Sequence, residues 1–101
     1  MSSLKTAQRV TIIADALLEE IIIGELGKLG ARGFSIMDCR GSGEHEIVQD
    51  LATIPSRIRI ETIVQPAVAE AIMTFLESPH LAQRALTGCV DTVQVSALDR
   101  F

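Results

Sequence analysis

The order of patterned segments predicts an α+β fold running β-α-β-β-α-β, a four-stranded antiparallel sheet with two helices on one face. Three observations carry this expectation. β-Branched runs stand at Gln8 to Ala14 and at Ser56 to Val64. Each is followed at once by an apolar stripe of helical period, and each helical stretch leads into another strand-like segment.

Gln8 to Ala14 (QRVTIIA) reads as the first strand. Asp15 then stands where a side-chain oxygen can cap a helix, with Glu19 and Glu20 near the positive end of its dipole. Ala16 to Leu29 reads as the helix, its apolar positions Leu17, Leu18, Ile21, Ile22, Leu26 and Leu29 recurring at three and four. Gly24 and Gly27 weaken it, and Gly30 suits the residue that ends it. Gly33 to Cys39 alternates Phe34 and Ile36 against Ser35, Met37 and Cys39 and reads as a second strand. Arg40 to Pro55 is a long connection opening on Gly41-Ser42-Gly43, of the kind that is usually functional or mobile.

Ser56 to Val64 (SRIRIETIV) is the third strand, with Ile58 and Ile60 on one face and Arg57, Arg59 and Glu61 on the other. Pro66 begins the second helix where proline is favoured, and Ala67 to Glu77 carries the stripe Val68, Ala71, Ile72, Phe75 and Leu76. Ser78-Pro79 interrupts it. Ala85 to Val95 holds the last strand. This is the ferredoxin-like arrangement, which by itself settles no activity.

A length of 101 residues suits a single domain over 1–101 with one core. Apolar residues make up 48% of the chain, yet three residues are aromatic and none is Trp or Tyr, so the core must be aliphatic. Two helices cover one sheet face only, and the aliphatic content predicts that copies of the chain cover the other. Nine Lys and Arg against 13 Asp and Glu leave a net charge of −4, which argues against a nucleic-acid partner. Cys39 and Cys89 are far apart and show no paired spacing, so reduced thiols in a cytoplasmic protein are the simpler expectation. The first residues contain no apolar h-region, predicting no signal peptide, and no apolar run is long enough to span a bilayer.

Chemistry-bearing candidates are few. Gly41-Ser42-Gly43 can let backbone N–H groups approach an anion, or can be an ordinary turn leaving a strand. Arg57 and Arg59 can form a cationic row for phosphate or carboxylate. On the residues alone, a solvated or ion-paired face is the simpler reading. Cys39, His45 and Glu44 or Glu46 match no metal framework, so no metal is expected. His80 reads as a surface residue. Ser3, Ser35 and Ser56 have no recognisable His and Asp partners, and no nucleophile elbow is present. No catalytic constellation follows.

The chain nevertheless resembles the PII-like signalling proteins, trimeric ferredoxin-like domains with nucleotide sites between subunits. Gly30-Ala-Arg-Gly-Phe-Ser-Ile-Met-Asp38 looks like that family's entry to its second strand. Arg40-Gly-Ser-Gly43 looks like the base of its T-loop, and Arg57-Ile-Arg-Ile-Glu-Thr-Ile-Val64 resembles its third strand. Within the family the chain is most similar to the carbon-sensing branch, the carboxysome-associated PII and SbtB-like regulators. The features are the T-loop text, the absence of tyrosine, Ala69-Glu-Ala-Ile-Met73, and Asp91-Thr-Val-Gln-Val95 with Asp99-Arg-Phe101.

The resemblance implies an adenine nucleotide held by Ser35 at the base edge, by Arg40, Gly41, Ser42 and Gly43 near ribose and phosphates, and by Ile63 in the base pocket. Thr87, Gly88 and Arg100 are further nucleotide candidates, placed by approximate alignment. Arg57 and Arg59 are the implied bicarbonate site. The family's Thr-Gly-x-x-Gly-Asp-Gly-Lys phosphate cradle is absent, Gln83 to Thr87 being the nearest stretch. Glu44 stands where many relatives carry arginine, so ADP or AMP is expected over a triphosphate. The Cys-Gly-Pro-x-Gly-Cys redox loop of some SbtB proteins does not occur in these residues, and hydrolysis associated with it is not expected. The implied activity is regulation. Ligands order the T-loop, about 41–55, to control a target such as a bicarbonate transporter or a carboxysome-related protein. The rival expectations on the same scaffold are a metal-responsive CutA-like protein and a nucleotide-hydrolysing enzyme.

Overall fold

The computed structural model describes residues 3–42, 54–81 and 84–96. Six elements follow in order: β1 (Leu4–Asp15), α1 (Glu19–Leu29), β2 (Ser35–Arg40), β3 (Ser56–Val64), α2 (Pro66–Leu76) and β4 (Leu86–Ser96). The sheet order is β2-β3-β1-β4, with every neighbouring pair antiparallel. This is the predicted ferredoxin-like arrangement, in which each helix crosses from one strand over its neighbour to the next.

Boundaries differ from expectation where long-range pairing or a local cap decides them. β1 begins at Leu4 rather than Gln8, because Leu4 to Ala7 pair with Val93 to Ser96 of β4. The polar start of that strand carries little β pattern of its own. Ala16–Leu18 is a 3-10 turn rather than the first turn of the α-helix. Asp15 Oδ1 accepts the Leu17 N–H at 2.8 Å, and this two-residue closure favours the tighter turn. α1 ends as expected at Gly30, whose φ of 108° lies in the left-handed region. The Ala31 N–H returns to the Leu26 carbonyl at 3.0 Å.

The helix-facing side of the sheet supplies Val10, Ile12 and Ala14 from β1 and Ile58, Ile60 and Val64 from β3. Leu18 of the 3-10 turn with Ile22 and Leu26 of α1 seal these on one side, and Ala69, Ile72 and Leu76 of α2 on the other. Leu81, in the turn after α2, is also buried. Thr62 faces this interior too, and its hydroxyl donates to the Gly33 carbonyl at 2.6 Å. That bond satisfies a buried polar group and fastens the chain just ahead of β2 to β3.

Candidate functional site

The opposite face of the sheet carries the candidate chemistry. Register places Cys39, Arg57 and Asp15 in one row across β2, β3 and β1. Met37, Arg59, Ile13 and Thr87 form the next row, and Ser35, Glu61, Thr11 and Cys89 the one after. Alternation along β3 sets this directly: the isoleucines at 58 and 60 turn inward and the two arginines turn out.

The two arginines meet different surroundings. Arg59 is exposed and ion-paired along its own strand, its guanidinium 3.0 Å from Glu61 Oε1. Arg57 is only 6% exposed, and its Nη1 donates to the Ala85 carbonyl at 3.2 Å. The solvated or ion-paired face that the residues suggested therefore fits Arg59, while Arg57 is an enclosed guanidinium. The Ala85 partner was not foreseeable from local pattern. It comes from a segment 28 residues away, brought across β1 by sheet order.

The base of the long connection is closed by one further bond, from the Gly41 N–H to the Pro55 carbonyl at 3.4 Å, continuing the β2–β3 ladder past Arg40 and Ser56. Arg40 and Ser42 are exposed beside it. Gly43 and most of the long connection, the expected T-loop, fall outside the described residues, as do His45, Glu44, Glu46 and Arg100. Ser35 is exposed at the start of edge strand β2, and Ile63 is half-buried on β3 beyond Glu61. Ser35 and Arg40 are thus at opposite ends of β2, roughly 17 Å apart at about 3.3 Å per residue.

Thr87 and Gly88 lie on the other edge strand. Three strand spacings of about 4.8 Å put β4 roughly 14 Å from β2, so among the described residues Ser35 and Arg40 stay apart from Thr87 and Gly88 within one protomer. Gly88 also has a packing reason to be glycine. A Cβ there would stand 2.5 Å from Leu76 Cδ1 and 3.3 Å from Met73 Cε, beneath α2.

Further down the same face, Arg9 clasps Asp91 with bonds of 2.7 and 3.1 Å. These bonds hold the Asp91 carboxyl below the usual carboxylate range and raise the Arg9 guanidinium further. Among the described residues no cluster of three or more His, Cys, Asp or Glu is placed to hold a metal ion. No described helix is long and apolar enough to cross a membrane.

Known proteins carry the same architecture. The family described as nitrogen regulatory protein P-II matches residues 7–100. A PII-like signalling protein of Thermus thermophilus is 34% identical, with 92% of this chain and 91% of that chain covered and a TM-score of 0.76. CPII of Thiomonas intermedia K12, a nitrogen regulatory PII-like protein solved with ADP, AMP and bicarbonate, is 19% identical. The alignment covers 92% of this chain and 96% of that one, with a TM-score of 0.79. A DUF3240 family protein of Shewanella baltica OS155 is 19% identical over 89% of both chains, with a TM-score of 0.64. No protein of curated function matches the chain. With a match that runs from Ala7 almost to the last residue, the chain belongs to the nitrogen regulatory protein P-II family.

Proposed function

We propose that this chain is a single-domain PII-like regulator, residues 1–101, of the carbon-sensing branch. It assembles as a homotrimer in the cytoplasm and binds ADP or AMP in the clefts between protomers. Bicarbonate is its second ligand, and the T-loop, about 41–55, is ordered by both to control a protein target in inorganic-carbon uptake or fixation. It signals and does not catalyse.

The observation that carries this reading is the split of the nominated residues between two sheet edges. Ser35, Arg40, Gly41 and Ser42 belong to the β2 edge, and Thr87 and Gly88 to the β4 edge. A ligand touching both sets needs the β2 edge of one copy beside the β4 edge of another, which a closed ring supplies. CPII, with the same fold, holds ADP, AMP and bicarbonate. Arg59 and Arg57 are the proposed anion residues, with Gly43, Ile63 and Arg100 completing the nucleotide set.

Light scattering tests the assembly: three copies of a 10.9 kDa chain give about 33 kDa. A thermal-shift series with AMP, ADP, ATP and cyclic AMP, each with and without bicarbonate, tests the ligands. ADP or AMP should raise the melting temperature, and calorimetry should show bicarbonate tightening nucleotide binding, since ligands that favour one state must favour each other. A monomer, or a melting temperature unmoved by every adenylate, removes the reading.

A further inference from the structure

Arg57 occupies an unusual position for an anion receptor. It is almost out of water, and a guanidinium so placed must be held by hydrogen bonds. One of those bonds goes to the Ala85 carbonyl, immediately before Leu86 opens β4. Since β1 lies between β3 and β4, and Arg57 is paired with Asp15 at the end of β1, the side chain passes over that strand end to reach Ala85. Two residues ahead of Arg57, the Pro55 carbonyl receives the Gly41 N–H at the base of the long connection. Arg57 thus touches the entry to β4 while its own backbone stands beside the mouth of the loop.

We propose that Arg57 is a positioning residue, a clamp that ties the entry of β4 to the start of β3 so that these two lips of the sheet end act as one unit. Anion reception then falls chiefly to Arg59, whose exposed pairing with Glu61 leaves its guanidinium open to exchange with a solvent anion. The clamp itself stands on the geometry of the chain. Its bearing on nucleotide and bicarbonate rests on the function proposed above.

Hydrogen exchange on the full chain without ligand tests the clamp in Arg57→Met, Arg57→Lys and Arg59→Gln. Methionine keeps much of the buried stem and removes every donor. Amides from Arg84 to Gly88 should exchange about tenfold faster or more in Arg57→Met, while Ile12 and Ile60 keep their protection. Arg57→Lys, which retains a charged donor, should recover part of the loss, and Arg59→Gln should match the parent. With ligands added, Arg57→Met should weaken ADP binding even without bicarbonate. Arg59→Gln should keep that affinity and lose the bicarbonate effect.

Unchanged exchange at 84–88 in both Arg57 variants overturns the clamp, and so does a loss spread equally over Ile12 and Ile60. A parent protein that binds no adenylate overturns the proposed function instead, and leaves the exchange result to decide the clamp alone.

Discussion

The two faces of the sheet are built from the same strands and do different work. On the helix side, β1 and β3 present Val10, Ile12, Ala14, Ile58, Ile60 and Val64, all fully enclosed. On the other side the same strands present Arg9, Ile13, Arg59 and Glu61, partly or wholly open, with Met37 of β2 43% exposed. A period of two separates these sets residue by residue, so a change at one position scarcely touches the chemistry of the next. The core resides on one face, and the recognition proposed above falls to the other. Arg57 stands out as the charged residue of the open face that is as enclosed as the core, with Thr11 of β1 on that face also buried.

That contrast can be broken by substitution. The largest effect is expected at Ile60, central on β3 and wholly buried. Ile60→Ala should cost about 2–5 kcal/mol in urea unfolding at fixed protein concentration. A loss as small as that of a surface change would show that the helices do not close the core as described.

Gly88 comes next, because Leu76 occupies the space a side chain would need. Gly88→Val should cost about 1–3 kcal/mol through overpacking beneath α2. Full stability in this variant would return Gly88 to being a glycine kept for a ligand alone.

The smallest effect sharpens the other face. The Asp91 carboxyl titrates below its ordinary value because Arg9 hydrogen-bonds it, so the pair's contribution is complete above the unfolded carboxylate range. It fades as pH falls through the lowered folded value, and Arg9 stays charged throughout. Acid should therefore destabilise the parent slightly more than Asp91→Asn, as read by urea midpoints at neutral and strongly acidic pH. Both groups are exposed, so the difference should be slight. An equal acid response in the two proteins would mean the pair contributes nothing.

Much of this was legible in the chain itself. Ser56 to Val64 was readable as β3 to the residue, since β-branched alternation and the flanking Pro55 and Pro66 mark both ends. Pro66 and Gly30 set the start of α2 and the end of α1 by backbone geometry alone. Of the candidate site, the residue types and their strand faces were legible, together with the family resemblance carried by Gly30 to Asp38 and Arg40 to Gly43. What was not legible was the company each side chain keeps. The long start of β1 needed its β4 partner, and Gly88 needed Leu76 above it.

The sequence by itself determined the element order, the aliphatic core and the outward placing of Arg57 and Arg59, because these follow from local periodicity and the conformational limits of Pro and Gly. Only the tertiary structure decided that Arg57 is enclosed and bonded to Ala85 while Arg59 stays in solvent with Glu61. It also put Ser35 and Arg40 on one edge strand and Thr87 and Gly88 on the other. The physical reason is one: strand order joins residues distant in the chain, and neither burial nor hydrogen-bond partnership is a property of a residue until its neighbours across the sheet are in place.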